Sequence, residues 1–284
     1  MEVKTFFDGE TFTLTYVVYD PQSRDGVIID SVLNYDPNSG KVTTESVDEA
    51  VEFINGHEIK LHYILETHAH ADHITGSQKL KEYFPDAKIG IGANITTVQE
   101  TFKDVFNLKD LKTDGGQFDI LFEDNQELLA GSLTIHILNT PGHTPACLSY
   151  LIGEKVFTGD ALFMPDYGTG RCDFPAGSAE NLYDSITNRL YTLPDETEVY
   201  VCHDYMPRGR ELKYKSTIGE EKTANIQLTG ETLREDYIKF RTERDRNLRA
   251  PRLLLPSIQM NILAGRRPQP EDNGTSYLKL PISE

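Results

Sequence analysis

Three of the chain's eight histidines fall within the six-residue segment His-Ala-His-Ala-Asp-His, at His68, His70 and His73, and Asp72 lies among them. Neutral imidazoles together with a carboxylate are ligands that suit zinc or iron. The chain has only three cysteines and no Cys-x-x-Cys motif, which argues against a closed structural zinc site. This segment therefore predicts a metal site of another kind.

Three further potential ligands each follow an apolar segment that has the pattern of a strand. They are His143 in NTPGHTP, Asp160 in VFTGD and His203 in VYVCHDY. Strand ends are a common place for a site, because the sheet holds the side chains rigidly while the loops admit substrate. We therefore expect the three side chains to join the histidine-rich segment. The other three histidines are predicted to be structural or solvated: His57, His62 and His136.

The histidine-rich segment has the spacing to serve two adjacent metal positions. Side chains alternate along extended backbone, so His68 and His70 can point the same way. Asp72 and His73 follow a turn and can face a neighbouring position. One or two metal ions are compatible with this pattern.

The elements that must position these residues alternate between strands and helices, which predicts a layered α/β protein. Predicted strands cover residues 11–19, 26–30, 61–65, 88–92, 126–138, 148–152, 156–160 and 198–202. Predicted helices cover the segment from an N-cap at Ser46 to about Gly56, then residues 94–106 and 179–190. After about Thr217 the sequence changes to charged helical segments and a proline-punctuated tail, which we interpret as a C-terminal extension.

Length and charge exclude several classes of function. The chain has 284 residues, 38 % of them hydrophobic, and a formal charge of -17, which disfavours nucleic-acid and membrane partners. Its apolar runs stay short of the roughly 18 residues that span a bilayer. The N-terminal segment carries Glu2, Asp8 and Glu10 where a signal peptide would be basic and then apolar. With few, unpaired cysteines, this predicts a cytoplasmic protein.

Residues 11–205 resemble the metallo-β-lactamase superfamily, through the motifs HxHxDH, PGH, GD and HD in that order. The resemblance implies a four-layer αββα sandwich with the metal site at one edge, formed by residues 1–216. Residues 217–284 would be a C-terminal extension packed on the same domain. In the family's two-metal pattern, His68, His70 and His143 match the first position. Asp72, His73 and His203 match the second, and Asp160 matches the bridging carboxylate.

Two segments resemble the persulfide dioxygenase branch of that superfamily. DHITG, at residues 72–76, replaces the DHxGG of glyoxalase II-like thioesterases, and Gly170, Arg171, Asp173 and Phe174 match a GRxDF segment. The stretches VLNYDPNSGKV and PRLLLPSIQMNILAGRRPQP further resemble a bacterial β-lactamase-like subgroup associated with sulfur transferases.

The branch resemblance implies one Fe(II) per chain held by His68, His143 and Asp160. A facial triad of this kind leaves positions open for a sulfur-bearing substrate and dioxygen. The implied reaction of sulfur metabolism oxidises glutathione persulfide, or a related small persulfide, to sulfite. Four residues would then surround the iron ligands, or alternatively hold a second metal: His70, Asp72, His73 and His203. The resemblance leaves a homodimer possible.

The same ligands also permit a hydrolase with two Zn(II) per chain, acting on glutathione thioesters as glyoxalase II does or on other substrates. A non-catalytic metal-binding or sulfur-binding module is the third hypothesis. The DHITG and GRxDF segments favour the dioxygenase.

Substrate contacts are predicted from the same resemblance. Arg171 matches an arginine near the glutathione carboxylate, and Tyr205 matches a tyrosine of that pocket. Cys172 and Cys202 lie next to these motifs, and we interpret both as inert thiols. A local positive patch could steer an anionic substrate or simply be solvated: Arg208, Arg210, Lys213 and Lys215.

Overall fold

The structure is a computed structural model that describes residues 1–282. Its strands, β1 to β15 in chain order, are Glu2–Asp8, Thr13–Tyr19, Asp25–Ile29, Val32–Asp36, Lys41–Thr43, Lys60–Leu65, Ile74–Thr75, Lys88–Gly92, Ile120–Phe122, Glu127–Ala130, Leu133–Asn139, Leu148–Ile152, Lys155–Phe157, Glu198–Tyr200 and Lys215–Thr217. Its helices, α1 to α7, are Glu45–Gly56, Ser77–Tyr83, Ile95–Val105, Ala179–Asn188, Ile218–Ala224, Arg234–Asp245 and Leu254–Asn261.

Two six-stranded sheets form the centre of the molecule. The first has the order β1-β2-β3-β6-β8-β9 and is parallel from β3 to β9. The second runs from β10 to β15 in chain order, and its only parallel pair is β13 with β14 among the described strands. A small third sheet has the order β5-β4-β7.

The sheets pack face to face, and helices cover their outer faces. All seven residues of β2 are buried because the strand is covered on both sides: Val17 packs among helices, whereas Tyr16 and Val18 pack between the sheets. Helix α1 contributes its apolar stripe at helical spacing, and α4 contributes Leu182 and Ile186 on the side of the second sheet. The predicted four-layer αββα fold is confirmed.

The strand pairing brings the predicted site residues to one edge. Because β3 and β6 are parallel, Asp30 after β3 and the segment after β6 emerge side by side. The parallel pair β13 and β14 does the same for Asp160 and His203. Leu14 N donates a hydrogen bond to Cys202 O at 2.7 Å, which joins the two sheets at this edge.

The segment after Thr217 contains α5, α6 and α7. Helix α7 lies within the proline-punctuated tail of the extension, which we expect to be helical or irregular, and its Ile258 and Met260 belong to the same core as residues of α1 and α3. Pro256 is accommodated because it lies in the first turn, where a backbone N–H has no helical partner. The division at residue 217 stays a prediction, and residues 283–284 of the extension lie outside the described residues. Within residues 1–282, helices long and apolar enough to cross a membrane are absent.

Glu221 of α5 gives the protein a predictable pH dependence. Its carboxyl group is fully buried and accepts hydrogen bonds from Ser216 Oγ at 2.5 Å and Asn225 Nδ2 at 2.8 Å. Burial raises its pKa to about 7. A raised folded-state pKa favours the protonated form, so Glu221 should lower the free energy of unfolding as the pH rises from about 4.5 through 7.

We expect Glu221→Gln to remove that decline. Relative to the parent, the variant should gain about 3 kcal/mol in the free energy of unfolding between pH 4 and pH 8. Urea denaturation across this range measures the effect, and Glu235→Gln, at an exposed position of α6, is the matched control. Parallel pH profiles for the parent and Glu221→Gln would contradict the expectation.

Candidate metal centre

The structure brings together the three residues expected to bind iron. One ligand atom each from His68, His143 and Asp160 lies within 4.8 Å of the other two, and all three side chains are buried. Asp160 Oδ2 is 3.9 Å from His68 Nε2 and 3.5 Å from His143 Nε2. Since metal–ligand bonds of about 2.0–2.2 Å hold ligand atoms roughly 3 to 4 Å apart, one ion fits among these atoms.

The other four predicted residues lie beside this group. His70, Asp72 and His73 also offer ligand atoms within 4.8 Å of one another. His203 Nε2 is 3.0 Å from Asp72 Oδ2 and 3.5 Å from Asp160 Oδ1. Asp160 thus directs one oxygen toward each side, which is the geometry of a carboxylate that could bridge two ions.

Several of the ligand atoms at this centre are buried and make no hydrogen bond. Within the described residues, the ligand atoms without a hydrogen bond include His68 Nε2, His70 Nδ1, His73 Nε2 and Asp160 Oδ1. Buried polar atoms are normally satisfied, and each unsatisfied one costs about 1–3 kcal/mol. An ion among His68, His143 and Asp160 would satisfy His68 Nε2, and the remaining atoms face the neighbouring group of ligand atoms. The donor set therefore fits a bound metal.

The far side of the ligand rings is held by hydrogen bonds. His143 Nδ1 donates to Arg171 O at 2.7 Å, which leaves Nε2 free to bind a metal. His68 Nδ1 lies 3.0 Å from Thr67 Oγ1. Burial and the neighbouring His70 lower the pKa of His68, so its ring stays in the neutral form that metals require. Thr13 Oγ1 lies 3.3 Å from His73 Nδ1 and 3.4 Å from His203 Nδ1.

Two buried carboxylates at this centre escaped sequence analysis. His70 Nε2 lies 3.1 Å from Asp30 Oδ1 and 3.2 Å from Glu66 Oε2, and both acids are 2 % exposed. Burial alone would lower the pKa of His70, but the two carboxylates outweigh it and raise that pKa well above its usual value. The only sequence signal was that each acid directly follows an apolar strand.

A residue from the end of α7 also holds the histidine-rich loop. Asn261 Nδ2 donates to the carbonyl oxygens of His70 and His73 at 2.8 Å each, and Asn261 Oδ1 accepts from Thr75 N at 3.0 Å. These bonds fix the backbone that presents the ligand side chains. Nothing in the sequence near Asn261 indicates this role.

A family model described as the metallo-beta-lactamase superfamily matches residues 8–203, which include the whole candidate centre. The chain belongs to the metallo-beta-lactamase superfamily. Glyoxylase B2 of Dictyostelium discoideum is 46 % identical to it, over 99 % of this chain and 97 % of the relative. The mitochondrial persulfide dioxygenase ETHE1 of Homo sapiens is 31 % identical, over 84 % of this chain and 79 % of the relative.

Among solved structures, the crystal structure of ETHE1 from Myxococcus xanthus superposes with a TM-score of 0.76 at 33 % identity. The superposition covers 94 % of this chain and 100 % of the Myxococcus xanthus chain. The predicted resemblance to the superfamily and to its persulfide dioxygenase branch is confirmed. These relatives support an enzyme with a metal centre.

A cavity of about 350 Å³ opens over the candidate metal centre. Its walls include His143 and Asp160 together with aromatic and arginine side chains: Phe163, Tyr167, Arg171, Tyr205, Arg244 and Arg252. Both predicted substrate contacts, Arg171 and Tyr205, therefore lie beside the site. The ring of Tyr205 packs against that of Tyr167 in a tilted arrangement, with the ring centroids 4.8 Å apart.

The guanidinium of Arg171 is already occupied by protein groups. Its Nε and Nη2 donate to the two oxygens of Asp173 at 2.6 and 2.5 Å, and its Nη1 donates to Arg249 O at 2.8 Å. These are the donors that would otherwise meet a substrate carboxylate. The substrate-binding role of Arg171 stays a prediction.

The local positive patch of Arg208, Arg210, Lys213 and Lys215 is partly neutralised by ion pairs. Arg210 forms ion pairs with Asp204 and Asp166, and Lys215 pairs with Glu198 at 2.6 Å. These contacts favour the solvated, structural interpretation over substrate steering.

Cys172 and Cys202, the two cysteines near the motifs, stay in the protonated thiol form. Burial raises the pKa of Cys172 and of Cys202 well above the ordinary value. The inert role predicted for both side chains agrees with these shifts.

Proposed function

We propose that this protein is a mononuclear Fe(II) persulfide dioxygenase. It oxidises glutathione persulfide, or a related low-molecular-weight persulfide, with O2 to sulfite. The observation that carries the proposal is the group of His68, His143 and Asp160, two imidazoles and one carboxylate facing a cavity. That set is typical of facial-triad iron oxygenases. Similarity to ETHE1 proteins over most of the chain supports it.

The reaction balances as persulfide plus O2 plus water giving thiol, sulfite and two protons. When bound, iron would supply activation of dioxygen and a site for the terminal sulfur. His68, His143 and Asp160 would hold the ion. The hydrogen bond to Arg171 O keeps the proton of His143 on Nδ1, which leaves Nε2 free for the metal. The walls at Phe163, Tyr167 and Tyr205 place aromatic rings beside the position of the sulfur-bearing substrate.

A dinuclear zinc hydrolase of glutathione thioesters is the second candidate. Two observations favour it: Asp160 directs its oxygens toward two groups of ligand atoms, and a relative at 46 % identity is named Glyoxylase B2. In this case His70, Asp72, His73 and His203 would help to hold the second ion, and the two ions would activate water.

Metal content and oxygen uptake separate the two functions. The purified protein should hold about one iron per chain, and after anaerobic loading with Fe(II) it should consume O2 and release sulfite when given glutathione persulfide. Protein loaded with Zn(II) is the control for metal identity. Two zinc ions per chain, with hydrolysis of lactoylglutathione and no oxygen uptake, would overturn the proposal.

We expect Arg244 to be the cation that meets a carboxylate of the substrate. It lines the cavity, and its nearest carboxylate oxygen, Asp245 Oδ1, is 3.7 Å from Nη1, so its donors are less engaged than those of Arg171. Losing one charge-assisted hydrogen bond costs about 1.5–3 kcal/mol. Arg244→Gln should therefore raise KM for glutathione persulfide roughly tenfold or more.

Steady-state oxygen uptake measures this effect, with iron content checked in the same samples. Arg246→Gln provides the matched control, because Arg246 is exposed and lies outside the cavity lining. An unchanged KM in Arg244→Gln would show that the substrate carboxylate binds elsewhere.

A further inference from the structure

Helix α6 contains a fully buried arginine. Arg241 is 0 % exposed, and its Nη2 donates to Asp245 Oδ1 at 2.6 Å one helical turn away. Its Nη1 donates to Thr169 O at 2.9 Å and to Gly170 O at 3.0 Å. Burying a charge is costly unless it is paired and hydrogen-bonded, and hydrophobic residues of similar volume are often as stable. The pair therefore suggests a role beyond packing.

Asp245 holds the other end of the same segment. Its Oδ2 accepts a hydrogen bond from Cys172 N at 2.7 Å, and its side chain is 4 % exposed. The two side chains thus bind backbone groups of Thr169, Gly170 and Cys172. We call residues 169–172 the strap. Residues four apart on α6 face the strap together.

The strap in turn contacts two of the three segments that carry the predicted iron ligands, those of His143 and Asp160. The carbonyl oxygen of Arg171 accepts the hydrogen bond from His143 Nδ1 at 2.7 Å. Gly170 lies so close to the second segment that an added Cβ would be 1.9 Å from Asp160 O. A shift of the strap would therefore move the ring of His143 and the backbone of Asp160.

We propose that Arg241 and Asp245 are positioning residues for the metal centre. Through the strap they fix the tautomer of His143 and the location of Asp160, so that both ligand atoms meet one ion. The inference rests on the proposed function only in taking His143 and Asp160 as metal ligands. A purely structural pair would change stability alone, whereas a positioning pair also changes metal affinity and the state of His143.

The experiment compares Arg241→Met, the double variant Arg241→Met with Asp245→Leu, and the milder Asp245→Asn. An equivalent double change at the exposed pair Arg234 and Asp184, with Arg234 on the same helix, is the matched control. Competition with a chelator gives the affinity for Fe(II) and, separately, for Zn(II). Nitrogen-15 NMR of the metal-free proteins reports whether His143 keeps its proton on Nδ1, and thermal unfolding confirms the fold.

We expect Arg241→Met and the double variant to bind metal at least tenfold more weakly and to lose the fixed tautomer of His143. Asp245→Asn should show the same change in smaller degree, and it is decisive if the other variants do not fold. Folded variants with affinities within twofold of the parent and an unchanged His143 signal would overturn the inference. If the protein proves to be a zinc hydrolase, the proposed function is refuted. The Zn(II) affinities of the variants still test whether Arg241 and Asp245 position the metal ligands.

Discussion

Replacing Asp160 or His143 by alanine is expected to abolish iron retention, whereas replacing His203 by alanine should leave most of the iron bound. Asp160 Oδ2 lies 3.5 Å from His143 Nε2 and 3.9 Å from His68 Nε2, so losing either Asp160 or His143 breaks the three-ligand set. His203 approaches the other oxygen, Asp160 Oδ1, at 3.5 Å. Metal analysis of desalted protein after Fe(II) loading measures the effect.

His136→Ala is the control, because this exposed histidine on β11 lies outside the groups of ligand atoms. It should retain as much iron as the parent. Loss of metal in all three site variants would instead indicate one shared two-metal cage, and would favour the zinc hydrolase over the dioxygenase.

Replacing Gly170 by alanine is expected to have the largest effect of any single methyl group added near the site. The new Cβ would lie 1.9 Å from Asp160 O and 3.0 Å from Asp160 C, distances that no side-chain rotation relieves because both atoms are backbone. The strap and the Asp160 segment must therefore separate. We expect a loss of about 3 kcal/mol in the free energy of unfolding, together with loss of bound metal.

Thermal or urea unfolding and metal analysis on the same preparation check both effects. Gly56→Ala, at the end of α1, is matched to it, since an added Cβ there meets nothing within 4 Å. That control should change stability by less than about 1 kcal/mol. A Gly170→Ala protein with the parent's unfolding midpoint and full metal content would contradict the described packing.

Sequence predicted the elements around the candidate centre well where the signal was local. The histidine-rich segment is contiguous, and the strand before it, predicted at residues 61–65, is Lys60–Leu65 in the structure. The helix predicted at residues 94–106 is Ile95–Val105. Ser46 was wrong as the N-cap of α1: Thr44 holds that position, and Ser46 N donates to Asn34 Oδ1 inside the first turn.

The parts that sequence missed depend on pairing between distant segments. A lone carboxylate after a strand, such as Asp30 or Glu66, carries no pattern of its own, and only the parallel pairing of β3 and β6 puts both beside His70. The charged sequence of α6 indicates a solvated helix, yet Arg241 is fully buried because the strap supplies its hydrogen-bond acceptors.

The sequence does not determine whether the site holds one iron or two zinc ions, and the reason is chemical. Both metals accept imidazole and carboxylate ligands, so residue types alone leave the metal open. The orientation of Asp160, with one oxygen toward each group of ligand atoms, is compatible with either count.

The bonds from Asn261 to the backbone of His70 and His73 span nearly two hundred residues. During synthesis the histidine-rich segment leaves the ribosome long before Asn261 is made, since chains grow from the N-terminus at about 5–20 residues per second. Until α7 emerges, the loop that carries His68, His70 and His73 therefore lacks the hydrogen bonds from Asn261. We therefore expect tight metal binding at the candidate centre to follow the synthesis and folding of α7.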